Sequence, residues 1–146
     1  MADGGDNQQA TIEDVQNELI EDFEFLDDWM DRYRHIIDLG KQLPPFPEEW
    51  MNDVYKVKGC QSQVWLKPET VDDRLVFHAA SDAAIVSGLI AILLKLYSNR
   101  TPEEILATPP SFIEKIGLNE HLSPSRSNGL HSMVETMLNY ANASKA

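Results

Sequence analysis

Behind a polar start, apolar residues recur at helical spacing. Thr11 stands where an N-cap belongs, Asp14 sits at the capping-box position, and Ile12, Val15, Leu19 and Phe23 line one face. Leu26, Trp29, Met30, Tyr33, Ile36 and Ile37 form a second helical stripe, which Gly40 and the run Pro44-Pro45-Phe46-Pro47 bring to a stop. Residues 47–52 leave room for one short helical turn. The pattern then changes to that of strands. Residues 54–58 predict a short strand, residues 61–67 a second with Val64 and Trp65, and residues 74–80 a third with Leu75, Val76 and Phe77. Residues 68–73 read as the loop between the last two. Ser81 is the expected N-cap of a helix over 82–98. Ile85, Val86, Leu89, Ile90, Leu93, Leu94, Leu96 and Tyr97 cover most of its circumference, which predicts a buried central helix.

Thr101-Pro102-Glu103-Glu104 and Ser111-Phe112-Ile113-Glu114 resemble two further helix starts. A final helix is expected over about 125–142, with Leu130, Met133, Val134, Met137, Leu138 and Ala141 on its apolar face. Strands and helices are segregated along the chain. The expected class is therefore α+β, a small antiparallel sheet of about three strands packed against several helices. There is no internal repeat. Residues 1–10 read as a disordered tail and residues 11–146 as a single domain.

Composition narrows the functional classes. The chain has 146 residues, and 42% of them are hydrophobic, enough for a real core. Its formal net charge is −12, and no basic stripe offsets it, so nucleic acid is not an expected partner. The acids are concentrated early. Residues 1–31 hold Asp3, Asp6, Glu13, Asp14, Glu18, Glu21, Asp22, Glu24, Asp27, Asp28 and Asp31 with no Lys or Arg. Such a stretch reads as a solvated helical face or as an acidic edge that steers association with a basic surface. The start of the chain lacks the apolar region of a signal peptide, and the longest apolar stretch, 83–94, is too short to span a bilayer. The expected location is the cytoplasm, with no membrane partner.

Cys60 is the one cysteine. It cannot close an internal disulfide, and together with His35, His78, His121 and His131 it forms no metal-ligand spacing, so no metal is expected. No phosphate-binding loop, dinucleotide fingerprint or nucleophile elbow is present, and no cofactor of its own is expected. A lone cysteine reads either as an inert core residue or as a reactive thiol. Gly59 before it permits a strained or mobile backbone, Gln61, Ser62 and Gln63 make its flank polar, and Lys58 would favour a thiolate if its ammonium lay close.

Three segments carry a resemblance. Gly59-Cys60-Gln61-Ser62-Gln63-Val64-Trp65 resembles the signature of the SufE/CsdE family of sulfur-acceptor proteins. Ser81-Asp82-Ala83-Ala84-Ile85-Val86 with Gly88-Leu89-Ile90 is similar to the family's second block, and Ser123-Pro124-Ser125-Arg126-Ser127-Asn128-Gly129-Leu130 to its third. The blocks fall in the family's order, and the likeness runs from about Thr11 to the C-terminus. It implies a SufE fold, similar to that of IscU-type scaffolds. It also implies a protein that takes persulfide sulfur from a PLP-dependent cysteine desulfurase of the SufS/CsdA type, stimulates that enzyme, and passes the sulfur to the Fe–S cluster scaffold complex. Cys60 becomes the acceptor on this reading, with no turnover of its own, and its lack of companion cysteines implies a carrier rather than a cluster-holding scaffold.

The family places this cysteine on a loop beside an apolar cavity, which implies an outward swing on docking with Gly59 as hinge. Gln61 is an expected neighbour of the thiol. Arg126 is expected either to stabilise a sulfur anion or partner contact or to sit as a surface arginine. Asp82 is expected at the N-terminus of the core helix or as a group tuning the Cys60 loop. A homodimer stays open. A thiol-based redox protein and a noncovalent adaptor with an incidental cysteine are the alternative functions.

Overall fold

A computed structural model describes residues 10–145. The expected tail at residues 1–10 lies almost wholly outside them. In chain order the elements are α1 (Ile12–Glu24), α2 (Trp29–Gly40), a 3-10 turn (Glu48–Trp50), β1 (Val64–Val71), β2 (Arg74–Ser81), α3 (Ala84–Tyr97), α4 (Pro102–Ala107), α5 (Phe112–Ile116), α6 (Leu118–His121) and α7 (Pro124–Lys145). The architecture is the expected α+β, an antiparallel sheet with helices packed against it.

The sequence signals at helix starts act as read. The Asp14 N–H donates to Thr11 Oγ1 at 3.0 Å and the Thr11 N–H to Asp14 Oδ2 at 3.4 Å, a reciprocal capping box. Thr101 and Glu104 repeat that arrangement at α4, with Pro102 in its first turn. The start of α3 is different. Strand β2 runs on through Ser81, which pairs with Val64, so the helix begins only at Ala84. Ser81 Oγ accepts from the Ala83 N–H at 3.2 Å in a local turn and does not cap the helix.

The sheet differs from expectation at its edges. β1 and β2 are the two paired strands, and residues 68–71, expected as loop, extend β1 down to a two-residue turn at Asp72–Asp73. Pro68 is tolerated there because its partner Phe77 turns its N–H outward to Ser98 Oγ, at 2.9 Å. The backbone of Pro68 therefore faces away from β2, where its missing N–H interrupts no ladder bond. The expected strand at 54–58 is reduced to one bridge, Lys56 to Trp65, flanked by hydrogen bonds Val57 N–H to Val64 O and Leu66 N–H to Tyr55 O, both 2.8 Å. The chain turns away at Gly59, whose φ of +89° no extended strand can hold.

Val64, Leu66, Leu75, Phe77 and Ala79 alternate onto one buried face. Against that face lies α3, with Ile90, Ile92, Leu93, Leu96 and Tyr97 all at or below 1% exposure, as its nearly all-round apolarity demands. α2 crosses α3 closely. A Cβ on Gly88 would lie 2.0 Å from the Ile36 carbonyl oxygen, so only glycine lets the two backbones approach. α7 packs against α4 and α3, which sets its N-terminal half beside the segment following the Lys56 bridge. Two buried polar side chains tie the helices together. Gln16 accepts from the Phe112 N–H at 3.0 Å and donates to the Pro109 carbonyl at 3.4 Å. Arg100, 3% exposed, donates to the Leu96 carbonyl at 3.3 Å.

Candidate functional site

Cys60 lies between the Lys56 bridge and β1, half-buried and in the reduced state. Gly59 precedes it in the left-handed region. A Cβ at Gly59 would also meet Ser132 Oγ at 2.7 Å, but that hydroxyl can turn aside, so it is the conformation that requires glycine there. The turn directs Cys60 toward the N-terminal half of α7. Its Sγ donates a weak hydrogen bond to the Gly129 carbonyl, with Sγ and O 3.8 Å apart.

The thiol lines a cavity of about 320 Å³. Val86 of α3 and Leu130 and Met133 of α7 supply apolar wall, while Gln61, Ser62, Ser123, Ser125 and Arg126 supply polar groups. The cavity abuts the start of α7, where Pro124 opens the helix and Ser123 Oγ accepts from the Arg126 N–H at 3.3 Å. The positive end of that helix dipole and the Arg126 guanidinium both favour negative charge nearby. The Arg126 side chain has no hydrogen-bond or ion-pair partner among the described residues.

Burial pushes the Cys60 thiol pKa up. Lys58, which would favour a thiolate only if its ammonium lay close, contributes nothing that offsets it. Lys58 is exposed and lines a separate cavity with Asp53, Glu135 and Tyr140, while Cys60 turns toward Val86 and Gly129. The two side chains flank the left-handed Gly59 and line different cavities.

Asp82 lies outside the cavity lining and outside α3. Its carboxylate accepts from the Gln63 N–H at 3.1 Å, and its own N–H donates to the Gln63 carbonyl at 3.3 Å. This pair clamps the C-terminal end of the Cys60 segment to the end of β2. The expected place at the helix N-terminus is therefore corrected, because the β ladder persists one residue pair beyond the strands. Of the sequence-derived candidates, Cys60, Gln61 and Arg126 come together at the cavity, Gly59 shapes the turn into it, and Asp82 acts one step away. His78 lies elsewhere, 2.9 Å from Glu69 Oε1 and with its ring against Trp50. Among the described residues no group of three His, Cys, Asp or Glu side chains is arranged to hold a metal ion.

Residue-by-residue reasoning did not single out Ser62, Val86, Ser123, Ser125, Gly129, Leu130 or Met133 as cavity residues. All but Met133 fall in the three blocks that carried the resemblance, so block membership was the available signal. Met133 was legible only as part of an apolar helix face.

The family model described as SufE, Fe-S metabolism associated domain, matches residues 17–141. An uncharacterised SufE-like protein of Rhizobium etli is 50% identical over 124 residues, covering 82% of this chain and 84% of the relative. One from Rhizobium meliloti is 47% identical over 123 residues, covering 81% and 88%. The solution structure of a hypothetical protein from Thermus thermophilus superposes with a TM-score of 0.73 at 20% identity, over 89% of this chain and 95% of that one, which is a likeness of fold.

Proposed function

The chain belongs to the SufE family of Fe–S metabolism, and on that premise we propose that it carries sulfur as a persulfide on Cys60. In this reading it is an accessory protein with no turnover of its own. It accepts sulfur from a PLP-dependent cysteine desulfurase of the SufS/CsdA type, stimulates that enzyme, and delivers the sulfur to the Fe–S scaffold complex. Residues 11–146 act as one SufE-like domain, and the setting is the cytoplasm, where thiols stay reduced. The observation that carries the proposal is a lone free thiol, half-buried in the wall of a cavity that also holds an unpaired arginine and a helix N-terminus.

The chemistry is thiol exchange. The Cys60 thiolate attacks the terminal sulfur of the partner's persulfide. A bond forms from Sγ to that sulfur, the partner's S–S bond breaks, and the partner's cysteine leaves as thiolate. The proton on the terminal sulfur travels with it, so no external oxidant or reductant enters. Arg126 and the α7 N-terminus favour the anionic persulfide.

The resting thiol is not poised for attack. Burial disfavours its ionisation, and the Gly129 carbonyl accepts from its proton. In the proposed cycle the loop therefore swings Cys60 out when the desulfurase docks, turning at Gly59, and returns the persulfide to shelter. Gln61 moves with the loop, and the Asp82–Gln63 clamp fixes its far end.

The test is intact mass after incubation with a cysteine desulfurase, PLP and cysteine. A gain of about 32 Da on the wild type, absent from Cys60→Ser, is the expected result. A Cys60→Ser protein that still binds and stimulates the desulfurase fully overturns the carrier reading and leaves a noncovalent adaptor. Oxidation of Cys60 by peroxide with no sulfur gain would point to a redox protein instead.

A further inference from the structure

Gly129 sits in the interior of α7, buried, where glycine is a poor helix former. The other glycines of the described residues have evident backbone reasons. A Cβ on Gly40 or Gly88 would strike the backbone of the facing helix, and Gly59 and Gly117 have φ near +90°. Gly129 has neither reason. Beyond its own chain neighbours and helix backbone, the only atoms within 4 Å of a Cβ built there are Sγ and Cβ of Cys60, at 3.5 Å and 3.9 Å.

Those distances are ordinary van der Waals contact, so an alanine fits beside the thiol. It does not fit beside a larger group on the same side. A second sulfur bonded about 2.05 Å from Sγ has no room between Sγ and a carbon already in contact with it. We propose that Gly129 is a positioning residue for the persulfide: its missing side chain leaves the slot along α7 in which the outer sulfur lies, shielded from solvent. This rests on the reading of Cys60 as a persulfide carrier.

The experiment compares wild type with Gly129→Ala, both loaded with inorganic polysulfide, a probe that needs no docked enzyme. The Cys60 thiolate takes one sulfur from tetrasulfide, and trisulfide leaves. Persulfide loss is then followed by intact mass in dithiothreitol, which removes the outer sulfur as hydrogen sulfide and is oxidised to its disulfide. Melting temperature and the iodoacetamide rate of the unloaded thiol serve as readouts of fold and resting site. Gly129→Ala is expected to melt at or above the wild-type temperature and to alkylate within about twofold of it. Its persulfide is expected to be lost about tenfold faster, the size of effect that crowding one packed group produces.

Equal persulfide lifetimes overturn the proposal. So does a Gly129→Ala protein that fails to fold, since the geometry admits alanine beside the thiol. A wild type that loads from polysulfide but never from a desulfurase sinks the sulfur-carrier function and leaves the Gly129 comparison readable on its own.

Discussion

At the scale of single residues, the behaviour of Cys60 follows from competition between burial and ionisation. Desolvation raises the thiol pKa, so at neutral pH the folded protein holds less thiolate than the unfolded chain. Alkylation of the folded protein should rise with pH through a midpoint above that of an ordinary thiol, and the midpoint should fall back in denaturant. The linkage has one sign. The folded state keeps the proton longer, so this stability contribution is complete below the ordinary thiol pKa and is lost as pH rises through the folded value. An equal or lower midpoint in the folded protein would contradict the geometry. Gly59 makes a second case. Its φ of +89° means that Gly59→Ala meets backbone strain, and Ser132 Oγ, 2.7 Å from the added Cβ, must turn aside. The left-handed conformation alone costs about 1–2 kcal/mol for alanine. The expected result is a shifted loop, seen as faster alkylation of Cys60 together with a lower denaturation midpoint.

At the scale of elements, the Cys60 segment is a tether fixed at both ends. The Lys56 bridge holds one end and the Asp82–Gln63 pair the other. Asp82 is exposed, so Asp82→Ala should cost global stability only about 1 kcal/mol. It should loosen the loop more than the fold, with Cys60 alkylation rising while the melting temperature changes little; unchanged alkylation would show that the clamp does not hold the loop. The α2–α3 crossing behaves in the opposite way. A methyl at Gly88 meets the Ile36 carbonyl oxygen at 2.0 Å, and backbone cannot yield as a flexible side chain would. Gly88→Ala should cost about 3 kcal/mol, measured as a lower urea midpoint, with no selective effect on the thiol.

At the scale of the whole molecule, charge is the dominant uncompensated feature. The net charge is −12, and the acids on and after α1, from Glu13 to Asp31, are all solvent-exposed. Self-repulsion of this size destabilises the compact state, and salt screens it over a Debye length of about 10 Å at 0.1 M. Raising sodium chloride from low ionic strength should therefore raise the melting temperature, and a fall would show that exposed ion pairs outweigh the repulsion. No helix among the described residues is long and apolar enough to cross a membrane. The buried polar groups Gln16 and Arg100 lie at the joints between elements and were not legible beforehand. Gln16 satisfies backbone groups of Pro109 and Phe112, which only the meeting of distant segments brings to it, while Arg100 closes onto the Leu96 carbonyl at the end of α3.

Local and periodic information was carried by the chain alone. The capping boxes at Thr11 and Thr101, the apolar circumference of α3, the stop after Gly40 and the α+β order depend on neighbours a few residues away, and these are written into the sequence. The three blocks around Cys60, Asp82 and Arg126 marked the family, although nothing local joined them. Tertiary packing decided the rest. It reduced the third strand to a bridge, carried β2 through Ser81, placed Lys58 and the sulfur in different cavities and set the thiol against Gly129. The environment of Cys60 is built from α3 and α7, up to 73 residues further along the chain, so its burial and pKa depend on contacts that no local pattern encodes.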